Sequence, residues 1–194
     1  MPLQPLILSS RSLPPNVRKA SFWIAGGAIA VAIAGCWYVI KAILLAGYAL
    51  NVDLQQETCL PWRVSMITPF EGGPLRRGDG VTFKTGGLPY LGEEAGKIVW
   101  GLPGDRIQVK DLELYVNGVH TAHLKICEKR RHTHYCRDRD YQIGEGRLFL
   151  MASHPFSFDS RYWDTVSQES VTGRLRPLSS LWGDVPSLPL MLPN

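Results

Sequence analysis

The hydrophobic pattern divides the chain into one long apolar segment and a series of short alternating segments. Ala20–Ile40 contains 21 residues without a charged side chain. At about 1.5 Å per helical residue, such a run is long enough to cross the roughly 30 Å hydrocarbon core of a bilayer. Lys41 interrupts the run, and Ala42–Leu50 continues it as a tilted or interfacial extension. The pattern therefore predicts one membrane-spanning helix near the N-terminus.

Three alternatives to a membrane anchor have to be weighed for this run. A buried core helix is disfavoured because the run is apolar throughout and has a basic flank on one side only. A cleaved signal peptide is disfavoured because the run is longer than a usual apolar region and has no convincing cleavage site. Ile33–Cys36 fits a lipoprotein cleavage pattern, but such matches are common in Ala/Gly-rich sequence and apolar residues continue past Cys36.

The charges that flank the apolar run predict its orientation. Arg11, Arg18 and Lys19 precede it, with no acidic residue among them. The positive-inside rule then places the N-terminus in the cytoplasm and the chain after about Asn51 outside. The predicted segments are a cytoplasmic part (1–19), a transmembrane anchor (20–50), a periplasmic domain (51–176) and a Pro-rich C-terminal tail (177–194).

Beyond the anchor, the pattern changes to short β-rich runs, several of them alternating, without a long helical period. Asn117–Gly118 directly follows one run and is a strong signal for a tight turn. Glycine and proline mark further turns at 71–74, 86–87 and 102–104. The pattern predicts a mainly β domain on a single membrane helix. The predicted strands are Val81–Phe83, Lys97–Trp100, Arg106–Val109, Leu112–Val116 and Arg147–Met151.

Composition limits the size and the partners of this domain. The chain has 194 residues, of which 45% are hydrophobic and 20% are charged. This is enough for one modest domain and an anchor, and it is not the composition of a disordered protein. The net charge of +4 is too small to predict a nucleic-acid partner.

Lys97 is the first candidate for chemistry. It lies four residues ahead of Gly101, the first residue of a Gly-Leu-Pro-Gly-Asp turn. A lysine has an ordinary pKa of about 10.4, so it acts as a base at neutral pH only where burial lowers that value. The apolar residues 98–100 are compatible with burial, although a lone lysine at the start of a strand is most often solvated.

Two separated segments together resemble motifs of the type I signal peptidases, which are membrane-anchored proteases with a nucleophile and a neutral lysine base. Lys97 with its turn resembles the lysine box, Ser157–Trp163 resembles the Ser-x-Asp-Ser-Arg box, and Gly173-Arg174 resembles its closing Gly-Lys/Arg pair. The resemblance implies that Ser157 orients the lysine. It also implies a supporting ion pair between Asp159 and Arg161, for which the alternative is a surface pair of little value.

The nucleophile position departs from the common family pattern. Thr58-Cys59-Leu60-Pro61 precedes an Arg-Gly-Asp strand, which resembles the conjugative-transfer branch of the family, with cysteine in place of serine. Ser65 is a competing candidate, but the proline of its segment is displaced by one residue and the segment is too close to the Arg-Gly-Asp turn. Cys59 is the preferred nucleophile. The alternative is a structural or disulfide cysteine in an inactive relative.

Cysteine is chemically adequate for this role. A free thiol has an ordinary pKa of about 8.5, and a lysine ammonium nearby favours the thiolate, so the dyad could be a thiolate–ammonium pair. The resemblance implies that the backbone N–H of Cys59 stabilises the oxyanion. Family members often add a hydroxyl two residues earlier, where this chain has Glu57. Whether Thr58 substitutes for it is left open.

Cys127 and Cys136 flank a basic segment that contains His132 and His134. Outside the cytoplasm a disulfide is the favoured interpretation. A zinc site with two cysteine and two histidine ligands is the alternative, although the spacing is not a common zinc pattern. The basic run Lys125–Arg139 is expected to be a solvated hairpin that could also contact anionic lipid headgroups.

The resemblance implies a single-pass signal peptidase of the bacterial inner membrane, with Cys59 and Lys97 as catalytic residues. Its partners would be the lipid bilayer, an exported precursor such as a propilin, and conjugative secretion components, with no metal or organic cofactor. Hydrolysis and cyclisation of the product remain open. The rival hypothesis is an inactive signal-peptidase-like scaffold of a pilus or secretion assembly. A LexA-type self-cleaving regulator is disfavoured by the membrane segment.

Overall fold

The computed structural model describes residues 15–54, 58–88, 91–128 and 134–178, with side chains from Phe22 onward. Most of the predicted cytoplasmic segment and of the Pro-rich tail therefore lies outside the described residues, as do Glu57 and His132. The chain divides into two compact units, Met1–Ala46 and Gly47–Asn194.

The first unit contains one long helix, α1 (Pro15–Leu45). Its part Phe22–Leu45, 24 residues, is long and apolar enough to cross a membrane, and its side chains are exposed. The predicted anchor, residues 20–50, runs past the end of this helix. The helix stops there because Gly47 adopts a φ of +78°, which favours glycine, and Ala49 already pairs with a strand.

The second unit is mainly β, as the sequence predicts, and it contains two antiparallel sheets. Every predicted strand is present, and the Asn117-Gly118 turn, with positive φ at both residues, joins the predicted strand Leu112–Val116 to a strand that was not predicted. The strands are β1 (Ala49–Val52), β2 (Val64–Pro69), β3 (Gly80–Lys84), β4 (Glu94–Gly101), β5 (Arg106–Lys110), β6 (Glu113–Val116), β7 (Val119–His123), β8 (Arg139–Gln142), β9 (Arg147–Met151), β10 (Val166–Ser167) and β11 (Val171–Pro177), with a short helix α2 (Ser160–Trp163) after β9.

Several strands have no signal in the hydrophobic pattern. β8 has the sequence Arg-Asp-Tyr-Gln, which contains no alternation of apolar and polar residues. It is a strand because it pairs with β5 at the edge of the four-stranded sheet. Strands of this kind depend on hydrogen bonds to a distant partner, which a local pattern does not reveal.

The larger sheet places β4 between β3 and β9 and thereby buries the candidate lysine. The seven strands have the order β1-β2-β11-β3-β4-β9-β10. β4 pairs with β3 on one side and with β9 on the other, and its residues Ile98 and Val99 are 0% and 1% exposed. β9 also contributes Phe149 and Met151 to the core beneath the four-stranded sheet, whose order is β7-β6-β5-β8. Side chains of one strand of the larger sheet therefore pack into the core of the smaller sheet.

A disulfide joins Cys127 and Cys136, as the sequence favours. Because the two thiols are bonded to each other, they are not zinc ligands. Cys127 is fully buried in the core of the four-stranded sheet, and Tyr135 packs edge-on against Phe158. The part of the loop next to the disulfide is thus packed against the protein. Arg139, the last residue of the predicted solvated hairpin, is only 7% exposed, so the hairpin prediction is wrong for this residue.

The Gly-Leu-Pro-Gly-Asp turn is held by its aspartate. The carboxylate of Asp105 accepts hydrogen bonds from both terminal nitrogens of Arg77 at 2.5 Å, from the N–H of Leu102 at 2.7 Å and from Asn117 at 2.8 Å. Burial acts to raise the pKa of Asp105, but these donors, with Arg77 first, outweigh it and hold the pKa below its ordinary value. The turn that follows β4 is thereby tied to the segment before β3.

Replacing Asp105 with asparagine is expected to reduce stability at neutral pH by about 1–3 kcal/mol, because buried charged donors lose their carboxylate. A depressed carboxyl pKa stabilises the fold above the unfolded value of about 3.9, and this stability is lost as the pH falls through the folded value. Chemical denaturation between pH 7 and pH 2 should therefore show a smaller loss for the variant than for wild type. Asp140→Asn, which removes an exposed carboxylate paired with Arg106, should have little effect. Parallel pH curves for Asp105→Asn and wild type would contradict the prediction.

Candidate active site

Lys97 is buried and hydrogen-bonded to the downstream motif. Its side chain is on the interior strand β4 with 5% exposure, and Nζ donates to Oγ of Ser157 at 2.8 Å. Burial lowers the pKa of Lys97, the negative charges of Asp159 and Cys59 act in the opposite direction, and the net pKa is below the ordinary value. The solvated lysine that is the usual case for such a residue is therefore excluded. The environment favours a neutral amine more than water does.

Asp159 and Arg161 form a buried ion pair directly after Ser157. The two residues are 0% and 2% exposed, and Nη2 of Arg161 lies 2.6 Å from Oδ2 of Asp159. Asp159 is also the N-cap of α2, where it accepts a hydrogen bond from the backbone N–H of Arg161. The alternative of a surface pair is wrong. Removing one partner of such a pair would leave an uncompensated buried charge.

The guanidinium of Arg161 also holds the loop that leads to Ser157. Nη2 donates to the backbone oxygens of His154 at 2.8 Å and of Ser157 at 3.3 Å, and Nη1 donates to that of Pro155 at 3.3 Å. These bonds satisfy carbonyl groups of a segment that belongs to no sheet. The position of the Ser157 hydroxyl therefore depends on Arg161.

Cys59 lies on the segment between β1 and β2 and lines a cleft. Leu60 and Trp62, each 5% exposed, pack against Ile98 and Leu175 and anchor this segment. The thiol of Cys59 is free and its residue is partly exposed. The cleft has a volume of about 470 Å³, and its lining includes β1, Cys59, Leu60 and Gly96, the neighbour of Lys97. The site thus combines an accessible thiol with a buried amine.

A further contact at this site has no sequence signal. Ser153, directly after β9, donates to the backbone oxygen of Cys59 from its N–H at 3.0 Å and from its hydroxyl at 3.1 Å. The residue is outside both recognised motifs. Because the loop of residues 153–157 contacts both Cys59 and Lys97, it connects the two candidate catalytic residues.

Ser65, the competing nucleophile, has a different environment. It is fully buried on β2, and its Oγ accepts a hydrogen bond from Asn51 at 3.2 Å. In the sheet, β11 and β3 lie between β2 and β4, the strand of Lys97. The structure therefore does not bring Ser65 to the accessible surface of the cleft.

Gly173-Arg174, the pair that follows the second motif, lies on β11, which pairs with β2 and β3 in the larger sheet. A Cβ on Gly173 would lie 2.7 Å from atoms of Ile67 and of Thr82, so the crossing of β11 with its neighbours requires glycine. Arg174 donates to Asp79 of the Arg-Gly-Asp segment at 2.9 Å. Motifs that are distant in sequence thus meet across β11. Within the described ranges, His, Cys, Asp and Glu form no group that could hold a metal ion.

Comparisons with known proteins match the chain to one family. The family described as "Signal peptidase, peptidase S26" matches residues 20–179. The chain is 27% identical over 168 residues to signal peptidase I V of Bacillus subtilis, which covers 80% of this chain and 96% of that protein. It is similar to the crystal structure of a signal peptidase I from Enterococcus faecalis, with 28% identity, a TM-score of 0.36, and coverage of 53% of this chain and 97% of the other.

The match to the family extends from the membrane helix through β11 and includes Cys59, Lys97 and the Ser157–Arg161 segment. The family catalyses a serine-type endopeptidase reaction on exported precursor proteins. With its apolar N-terminal helix and its mainly β unit, this chain belongs to the signal peptidase family, peptidase S26.

Proposed function

We propose that this protein is a signal peptidase of the conjugative-transfer branch in which Cys59 is the nucleophile and Lys97 is the base. The observation that carries the proposal is the burial of Lys97, with its 2.8 Å hydrogen bond to Ser157, beside a cleft that contains a free thiol. The sequence around Cys59 supports the branch, because Cys-Leu-Pro precedes the Arg-Gly-Asp segment.

The proposed reaction begins with attack of the Cys59 sulfur on the carbonyl carbon of the scissile peptide bond. The thiol proton is held by Lys97, and the backbone N–H of Cys59 donates to the oxyanion. Collapse of this intermediate breaks the C–N bond, and the leaving amine takes the proton from the lysine ammonium. Lys97 then removes a proton from water, which attacks the thioester and regenerates the thiol. If the amine at the product's own N-terminus attacks instead, the product is cyclised.

The environments of the two candidate nucleophiles support Cys59. A nucleophile must be reached by the substrate, and Cys59 lines the cleft while Ser65 is 0% exposed. The backbone oxygen of Cys59 and the amine of Lys97 both bond to the loop of residues 153–157, as expected for a nucleophile and a base that belong to one site. The hydroxyl of Ser65 instead has a structural partner in Asn51.

The substrate that we propose is an exported precursor, such as a conjugative propilin, cleaved after small residues. The membrane helix and the basic residues before it support an N-terminus in the cytoplasm and a catalytic unit in the periplasm. The disulfide supports an oxidising compartment for that unit. In this arrangement the enzyme would meet its substrate on the outer side of the inner membrane.

Trapping of the acyl-enzyme tests this proposal. The purified full-length protein is mixed with a propilin precursor, quenched with acid and mapped by mass spectrometry. We expect a mass addition on the peptide that contains Cys59, and its removal by neutral hydroxylamine, because a thioester is cleaved by that reagent while most esters persist. Cleavage with the addition on Ser65 would refute the nucleophile. Absence of cleavage and of any addition, in protein with its native fold, would favour the inactive scaffold.

A further inference from the structure

We propose that Arg139 is a positioning residue of this active site, acting through α2 on the loop that holds Cys59 and Lys97. The inference rests on the proposed function for its meaning in catalysis. Arg139 belongs to β8 of the four-stranded sheet, whereas Lys97 belongs to the seven-stranded sheet. It is outside both recognised motifs.

Arg139 binds the C-terminal end of α2 from the other sheet. Its Nη1 donates to Oδ1 of Asp164 at 2.6 Å and lies 3.5 Å from the backbone oxygen of Tyr162, and its Nη2 donates to the backbone oxygen of Arg161. The last carbonyl groups of a helix have no partner within the helix, so a buried cation is well placed there. One guanidinium thus holds two carbonyl groups and a carboxylate.

Asp164, the C-cap of α2 that Arg139 binds, has a strained backbone conformation. Asp164 has φ +68° and ψ −143°, a conformation that is rare for a residue with a side chain. Such a conformation persists only when its surroundings determine it. The ion pair with Arg139, whose side chain is 7% exposed, supplies one such constraint.

The connection from α2 to the catalytic residues is short. Arg161 lies in α2, and its guanidinium holds the backbone of His154, Pro155 and Ser157. The same loop carries the Ser157 hydroxyl that receives the Lys97 hydrogen bond and the Ser153 groups that fix the Cys59 backbone. If α2 shifts, Arg161 shifts with it, and both members of the dyad lose their alignment. A misplacement of about 1 Å is enough to reduce a rate by about 100-fold.

Variants of Arg139 and a nearby control separate this role from general stability. In Arg139→Met the apolar stem is kept while every bond to α2 is lost, and Arg139→Lys retains the charge but cannot bond all three acceptors at once. Arg147→Met is the matched control. Arg147 also binds next to α2, through the hydroxyl and the backbone oxygen of Thr165, but among the described residues its hydrogen bonds reach neither residues 161–164 nor the catalytic loop.

The first measurement is kcat/KM for precursor cleavage as a function of pH, on the folded full-length protein in detergent. We expect Arg139→Met to lower kcat/KM by about 10- to 100-fold. We also expect the acidic limb of the profile to move to higher pH, because a less confined Lys97 is better hydrated. Arg139→Lys should be intermediate and Arg147→Met unchanged. A loss of folded protein alone would lower the yield of active enzyme without moving the limb.

The second measurement is the rate at which iodoacetamide alkylates Cys59 at neutral pH, followed by peptide mapping. It needs no substrate, and it should fall severalfold in Arg139→Met because the displaced Lys97 is no longer aligned with the thiol to take its proton. If wild type cleaves no precursor but alkylation falls in this variant, the proposed function fails and the positioning role stands. If Arg139→Met matches Arg147→Met in both measurements, the inference is overturned. If Arg139→Met does not fold, both measurements are made on Arg139→Lys and Asp164→Asn instead. Wild-type values of kcat/KM and of the alkylation rate in both variants would overturn the inference.

Discussion

Replacing Cys59 with alanine is expected to abolish precursor cleavage, with a fall in kcat of more than about 1,000-fold. The variant lacks the atom that forms the acyl-enzyme, and loss of one member of a catalytic unit removes most of the effect of the whole unit. The fold should be retained, because Cys59 is partly exposed and forms no disulfide. The measurement is conversion of a propilin to its mature mass by purified full-length enzyme, alongside thermal unfolding of each variant.

Two further variants make this experiment decisive. Cys59→Ser restores the family's usual nucleophile and should keep measurable activity through Lys97. Such activity would support the view that Cys59 occupies the position of the catalytic serine of the family. Ser65→Ala should cleave normally but unfold at a lower temperature, because the partly buried Asn51 amide loses its hydrogen-bond acceptor. If Cys59→Ala cleaves normally and Ser65→Ala is inactive, Ser65 is the nucleophile. Normal cleavage by both variants would remove both candidates.

Lys97→Met is expected to abolish cleavage and, in the same protein, to raise stability by about 1–4 kcal/mol. Methionine fills a similar volume without a charge, while the native lysine is 5% exposed and has a lowered pKa. A base with a lowered pKa takes up more protons in the unfolded state, so it destabilises the fold at neutral and acidic pH. That penalty fades as the pH rises from the folded value towards the unfolded value of about 10.4. The gain in the variant should therefore be largest at neutral pH and below.

The stability of Lys97→Met is measured by chemical denaturation at several pH values, with Lys84→Met as control. Lys84 lies at the exposed end of β3, so its replacement should change stability little and with little dependence on pH. The combination of lost activity and gained stability is specific to a functional lysine in an unfavourable environment. A Lys97→Met protein that cleaves normally would refute the role of the base. An inactive variant without a gain would show that burial of the lysine carries no net penalty.

Much of the candidate site was predictable because its motifs are local. In the Lys97 turn and in the Ser157–Trp163 segment, the residues that define each motif lie within a few positions of one another. The disulfide was predictable because only two cysteines flank one short loop. Ser153 and Arg139 were not predictable. Their partners, Cys59 and α2, are distant in sequence, and a hydrogen bond across such a distance leaves no mark on the pattern around either residue.

The fold shows the same division between local and distant interactions. The alternating strand β5 and the apolar strand β9 were predicted, whereas the polar strand β8 was not. The predicted anchor, residues 20–50, extends past Leu45, where the helix ends, and includes the start of β1. The residues after the helix are also apolar, and hydrophobicity alone does not distinguish the last turn of a helix from an exposed edge strand.

The local pattern of residues was enough to predict an apolar helix long enough for a membrane, a mainly β unit, and the two motifs that resemble a signal peptidase. These features follow from side chains that are close in the chain, where propensity, spacing and hydropathy act directly. The desolvation of Lys97, the burial of Ser65 and the contact of Arg139 with α2 depend instead on how the strands assemble in the folded chain. Burial is decided by which strands become neighbours, and that depends on contacts between residues far apart in the chain.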